Sequence, residues 1–230
     1  MNLGWKLASV LKKHSPPSLL QSYNGERLPV IAAMLDKTSA LFKIEHTDSA
    51  PRKADRSDPA LMMLGINYRT SSFVFDSIHH RLKPEEENAY MPTREGLWAG
   101  DRAPNAPRLV RSDGSSTMLF DIFKPTHHTA LIFAPTVEAA KSHLDIITGE
   151  NGRIVSFVVL PEGSRMDDAK VDGAQVIVDS EGHAKAAYLE KNGFGEDDIF
   201  AYLVRPDSYI GALAGRDGRS LQEYIAKVFV

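Results

Sequence analysis

Residues 129–148, TALIFAPTVEAAKSHLDIIT, decide the fold. TALIFA is an apolar run too short for a helix, which reads as a strand buried on both faces. VEAAKSHLDIIT then reads as a helix with Leu144 and Ile147 turned inward. The same rhythm continues downstream. RIVSFVVL (153–160) and QVIVD (175–179) are expected strands, and HAKAAYLEKN (183–192) is a helix ending at Gly193. IFAYLVRPDSYIGALAG (199–215) reads as two strands turning at Pro206-Asp207, and RSLQEYIAKVFV (219–230) as a closing helix. Strands alternating with helices of this length imply a partly parallel sheet covered on both faces.

Upstream the pattern is different. Leu3, Leu7, Val10 and Leu11 recur at helical spacing, and this apolar stripe begins with no strand, turn or N-cap run ahead of it. A first helix from Leu3 to Lys13 is expected to break at HSPPS (14–18). A second, capped by Ser15 or Ser18, runs to Tyr23, and a third starts near Pro29, where a missing N–H costs little. EHTDSAPRKADRSDPA (45–60) is polar and broken by two prolines, so it reads as a linker. LMMLGINYRTSSFVFD (61–76) reads as extended, with alternation at Phe73 and Phe75. HRLKPEEENAYMPTREG (80–96) is loop, and its Glu85, Glu86 and Glu87 are a solvated acidic turn. The expected division is therefore a helical segment at 1–45, a linker and extended segment at 46–97, and a domain at 98–230. The order strand, helix, strand, helix, two antiparallel strands, helix gives the fold class as α/β, a thioredoxin-like mixed sheet with flanking helices.

At 230 residues, 43% hydrophobic and 25% charged, the chain can bury one good core. A formal net charge of −3 with both signs interspersed argues against a nucleic-acid footprint. No apolar run approaches the roughly 20 residues of a membrane span, and the start lacks a signal peptide's segments, so a cytoplasmic location is expected. There is no cysteine, which removes thiolate and dithiol chemistry.

Six stretches carry a resemblance to a known family: NLGWKLASVLKK (2–13), LLQSYNGERLPV (19–30), LGINYRTSS (64–72), AGDRAPNAPRLV (99–110), TMLFDIFKPTHHTALIFA (117–134) and YLVRPDSYIGAL (202–213). In this order they resemble the flavin-dependent aromatic monooxygenases of the phenol-hydroxylase type. The resemblance implies that the first helix follows a glycine-rich loop late in a flavin domain. It also implies that residues after about Trp98 form the family's thioredoxin-like C-terminal domain, associated with subunit contacts. The dinucleotide fingerprint G-x-G-x-x-G does not occur, and Gly100-Asp101 is followed by Arg102-Ala103-Pro104, not by the family's flavin-contacting pattern. The chain is thus expected to lack the flavin domain and to hold no cofactor tightly. At the position of the redox pair of thioredoxin-like enzymes stands Ala134-Pro135-Thr136-Val137, which cannot exchange disulfides.

Candidate chemistry follows from what remains. His79 and His80 can move protons near neutral pH, and this pair departs from the acidic run expected after VFD. Tyr68 and Arg69, beside Ser71, Ser72 and the apolar Met62, Met63 and Leu64, can line a pocket for a planar oxygenated ligand and stabilise an enolate or phenolate. Asp101 is a weaker candidate base, which can also pair with Arg102. His127-His128 is expected to cap the first core strand, Glu26 and Arg27 to pair between helices, and Trp5 and Trp98 to pack. No metal site is expected. Two functional readings follow. One is a cofactor-independent isomerase, cyclase, dehydratase or lyase on an aromatic or polyketide-like small molecule. The other is a non-catalytic dimerisation module or the C-terminal half of a split FAD monooxygenase, with a homodimer or a monooxygenase as partner.

Overall fold

The computed structural model describes residues 1–47, 59–79, 89–90, 96–150, 152–164 and 171–230. His80, the acidic run at 85–87 and most of the expected linker lie outside the described residues. Two helices open the chain, α1 (Asn2–Leu11) and α2 (Ser18–Thr47). The break at residues 14–17 falls where the prolines predict it. Pro29, however, lies inside α2, so the two later helical pieces are one helix of 30 residues. An interior proline costs roughly 3 kcal/mol through its lost hydrogen bond and ring clash. Tertiary burial on both sides of it, at Leu19 (0% exposed) and Val30 (1%), opposes that penalty.

Among the described residues one mixed sheet contains β1 (Phe75–Asp76), β2 (Leu109–Arg111), β3 (Ser116–Thr117), β4 (His128–Phe133), β5 (Ile154–Leu160), β6 (Ala174–Asp179), β7 (Phe200–Val204) and β8 (Ile210–Ala214). Their spatial order is β1-β8-β7-β4-β5-β6-β2-β3. β4, β5 and β6 run parallel, while β7 and β8 are an antiparallel hairpin beside β4. This is the thioredoxin-like plan, enlarged at both edges. On one edge β1 comes from the segment read as extended and pairs parallel to β8; on the other, the β2–β3 hairpin adds to β6. Strands of two and three residues leave little periodic signal, so β2 and β3 had none to read.

Every residue of β4 is buried, and alternate residues serve two cores. Ala130 and Ile132 join Val158, Leu203 and Ala212 against α3 (Lys141–Ile147) and the closing helix α4 (Arg219–Val228). Leu131 and Phe133 join Phe157, Ile177, Tyr188 and Tyr202 on the opposite face. Trp5 and Leu19 belong to the first of these cores, so α1 and α2 share it with the sheet.

The face that α1 presents to that core is not the leucine stripe. Trp5 and Lys6 are buried, whereas Leu3 and Leu7 are each 43% exposed and Leu11 is 73% exposed. α2 repeats the arrangement: Leu19, Ser22, Glu26 and Val30 form an inward line, while Leu28 (61%), Ile31 (45%) and Leu35 (61%) form a second, outward one. Each helix thus buries a partly polar line and leaves an apolar line uncovered.

Candidate functional site

The candidate residues between 68 and 101 are brought together by a close backbone approach. Tyr68 N donates to Gly100 O at 2.8 Å, and Gly100 N donates to Ile210 O at 2.7 Å. Gly100 has φ +94°, and a Cβ there would lie 2.5 Å from the Arg69 backbone, so glycine is required. The turn aims the Asp101 carboxylate at Arg69, with Nε to Oδ1 at 2.7 Å, while Oδ2 accepts the Trp98 N–H at 2.9 Å. The Arg69 guanidinium lies 5.7 Å from the Trp98 ring centroid. His79 stacks on the same indole at 4.1 Å with 9° between planes, and its Nδ1 is 3.0 Å from Asp76 Oδ2. Asp76 is in turn held by the N–H groups of Ile78, His79 and Ala99.

His79, Arg69 and Asp101 therefore assemble around Trp98, with β1 and the 98–101 turn as their supports. Tyr68 does not face the same way. It is 4% exposed, its hydroxyl accepts Arg27 Nη1 at 3.1 Å, and its ring packs on Tyr209 at 4.4 Å. Arg69 and Asp101 line a cleft of about 220 Å³ with Met63, Leu64, Leu97 and Tyr209. Asp101 pairs with Arg69 and not with Arg102. Both Asp101 oxygens are engaged, so the cleft offers no free base from that residue, and it is smaller than the ~300 Å³ at which drug-sized pockets begin.

The largest concentration of buried charge lies elsewhere, where α1 and α2 meet the β7–β8 turn. Arg205 Nη1 and Nη2 reach Glu26 Oε1 and Oε2 at 2.8 and 3.0 Å, and Nε and Nη2 reach Asp207 at 3.0 and 2.7 Å. Lys6 Nζ contacts Glu26 Oε2 at 2.7 Å and Ser22 Oγ at 2.8 Å. Ser71 Oγ donates to Glu26 Oε1 at 2.8 Å, and Trp5 Nε1 donates to Asp207 Oδ2 at 3.1 Å. Two cations thus meet two carboxylates. Burial alone raises the Glu26 pKa, but the attraction of Arg205, then its hydrogen bonds and Lys6, hold it down to about 2. Burial and the neighbouring Arg205 push Lys6 down to about 8, against the pull of Glu26.

Glu26 pairs between elements as expected, with Lys6 and Arg205 in place of Arg27. Arg205 and Asp207 carried no sequence signal of their own. The one available clue was Lys6 itself, a lysine next to Trp5 on the side of α1 away from the leucines. His128 begins β4, and its Nε2 lies 2.9 Å from the Tyr224 hydroxyl; burial and then Arg205 push its pKa to about 3. No group of three or more metal-ligating side chains occurs among the described residues, and no helix among them is long and apolar enough to cross a membrane.

Comparison with known proteins adds the following. The profile of a family described as an FAD binding domain matches residues 1–38, which are α1 and the inward-packing part of α2. The chain is 31% identical over 222 residues to the pentachlorophenol 4-monooxygenase of Sphingobium chlorophenolicum, covering 94% of this chain and 38% of that protein. It is 29% identical over 227 residues to a flavin-dependent monooxygenase of Mycobacteroides abscessus, covering 99% and 34%. The chain therefore spans between a third and two fifths of the length of these relatives. Its fold matches that of aklavinone-11 hydroxylase, solved with FAD and aklavinone, at a TM-score of 0.64 and 22% identity over 98% of this chain and 38% of that one. The flavin-dependent monooxygenase PieE, solved with FAD and substrate, matches equally at 0.64, with 20% identity over 98% and 42%.

Proposed function

We propose that this chain, which is related to the FAD-dependent aromatic monooxygenases of the phenol-hydroxylase type, serves as the C-terminal part of a flavin-dependent aromatic hydroxylase. In this reading α1 and α2 are the last piece of a flavin domain, and the thioredoxin-like unit is joined to them through Glu26 and Arg205. The flavin and the aromatic substrate are held by the remainder of such a domain. That remainder covers the outward apolar lines of α1 and α2.

The observation that carries the reading is the pair of opposed lines on the two helices. One line is used inside this chain, and the other exposes Leu3, Leu7, Leu28, Ile31 and Leu35 in the very residues matched to an FAD binding domain. Exposed apolar side chains lined up along one side of a helix are the kind of surface that a binding partner covers.

The residues described here do not fit a whole FAD by themselves. A pyrophosphate needs a glycine-lined turn from a strand into a helix, and the turn after β4 is Ala134-Pro135-Thr136. The cleft beside Asp101, of about 220 Å³, and a second between α1 and β4, of about 180 Å³, are too small for it. No step through the flavin is therefore assigned to these side chains. The geometry also favours this reading over cofactor-independent catalysis, because Arg69 and Asp101 neutralise each other and Tyr68 is turned away from the cleft.

A fusion tests it: the N-terminal portion of the pentachlorophenol 4-monooxygenase, up to the matched region, followed by these 230 residues. It is expected to purify with bound FAD and to hydroxylate a phenol, and Leu28→Glu with Leu35→Glu is expected to abolish both. A fusion that folds but binds no flavin, or the isolated chain converting an aromatic compound without flavin, overturns the reading.

A further inference from the structure

At the carboxyl ends of β4, β5 and β6, far from the charged joint, lies a small cavity of about 70 Å³. Ligands of open α/β sheets bind in crevices outside the carboxyl ends of their strands. Its floor is apolar, formed by Phe133, Val159, Leu160 and Leu189. Its polar lining is Glu162, Asp179, Glu196 and Lys185, three carboxylates to one ammonium.

Asp179 ends β6 and is only 3% exposed. Its Oδ2 accepts the Lys185 N–H at 2.7 Å, which starts the helical turns from Lys185 to Asn192. Its Oδ1 is shielded from solvent and has no hydrogen-bond partner among the described residues. The nearest ammonium does not relieve it. Lys185 Nζ is held by Glu196 Oε1 at 2.7 Å, with Glu190 at 3.8 Å. A buried carboxylate oxygen without a donor is costly, and Asp179 lines this cavity, so a donor that enters and turns the carboxylate towards itself satisfies it.

We propose that this cavity binds a compact organic ammonium, a protonated amine carried on a short apolar body. The apolar floor takes the carbon chain, and the excess of carboxylates takes the charge. At 10–15 Å³ per water, the volume of about 70 Å³ holds roughly five to seven waters, enough for a body of about four carbons. The ammonium can belong to a free amine or to the lysine side chain of a partner. The site is independent of the flavin reading above, and no bond is made or broken at it.

The test is a titration of the methyl-labelled chain followed by NMR, with n-butylammonium chloride in one arm and a terminally blocked peptide with a central lysine in the other. Saturable shifts are expected at the Val159, Leu160 and Leu189 methyls, with neutral n-butanol giving none. Asp179→Asn keeps the acceptor for Lys185 N and is expected to weaken binding about tenfold, the usual effect of losing a charge-assisted hydrogen bond. Glu162→Gln, on the exposed rim, is expected to weaken it about twofold and serves if the first variant does not fold. Saturation by either probe that fades in the variants supports the proposal and identifies the source of the ammonium. No saturable shift with either probe, equal binding of butanol, or undiminished binding in the variants overturns it.

Discussion

The two ends of the thioredoxin-like unit bury carboxylates in opposite ways. Where α1 and α2 meet the β7–β8 turn, both oxygens of Glu26 and of Asp207 have donors, and the two negative charges face Lys6 and Arg205. At the carboxyl end of β6, Asp179 has one oxygen satisfied and one without a partner. A buried charge with a full set of partners resists any shift of the two elements, because moving them leaves a buried charge uncompensated. A buried carboxylate with one oxygen unpaired gains from any donor that can be brought to it. The carboxylates, and not every polar atom, carry the difference: at the joint the Asn2 amide donates to both Glu26 and Asp207, yet its own oxygen is buried without a partner.

The largest expected effect sharpens this contrast at the joint. Glu26→Gln leaves Arg205 and Lys6 buried with too little counter-charge and should cost about 3–5 kcal/mol in urea unfolding. A loss under about 1 kcal/mol would mean that the cluster is hydrated in solution and holds nothing in place.

Acid should reveal the same joint together with His128. His128 titrates near 6.5 when unfolded and about 3 when folded, so the unfolded chain binds more protons between those values. Stability is then lost as pH falls from 6.5 towards 3, with His128 contributing up to about 1.4 kcal/mol per pH unit and the burial-lowered His143 adding to it. Glu26, at about 2 folded against 4.5 unfolded, adds a second loss as pH falls below 4.5. Lys6, at about 8 folded against 10.5, has the same sign at the alkaline end, so its contribution rises as pH climbs from 8 to 10.5. Thermal unfolding across pH checks all three. In His128→Leu the loss between 6.5 and 4.5 should shrink, the remainder coming chiefly from the buried His143, whose pKa burial also lowers, while the loss below 4.5 persists.

At the other end the expected change is smaller. Asp179→Asn removes a charge that lacks a full set of partners, so stability should move by no more than about 1 kcal/mol in either direction. A loss comparable to that of Glu26→Gln would erase the contrast. Smallest of all, Leu28→Ser or Leu35→Ser should leave the isolated chain within about 0.5 kcal/mol of its parent, because each side chain is 61% exposed.

The sheet was legible because β4 to β8 are runs of five to seven residues whose pattern is set by burial on two faces. The helices before it were legible as helices but not in their orientation. An apolar stripe ordinarily marks the inward face, and Leu3, Leu7 and Leu11 turn out instead because Trp5 and Lys6 fill the space beside Glu26 and Arg205. Pro29 likewise read as a boundary, since a local rule cannot see the packing on either side of it. Among the site candidates, Arg69, Asp101 and His79 do gather, through a contact between residues 68–69 and Gly100 that no local spacing encodes. Charged partners separated by 179 residues, as Glu26 and Arg205 are, leave no periodic trace at all.

The central claim is that the outward face of α1 and α2 is covered by the rest of a flavin domain. Because the chain has no cysteine, Leu28→Cys gives a single reporter on that face. Its maleimide labelling, read by peptide mass, should be fast in the isolated chain and at least about tenfold slower in the fusion with the flavin-binding portion of the relative, the protection expected of a packed side chain. Equal labelling rates in the two would contradict the account.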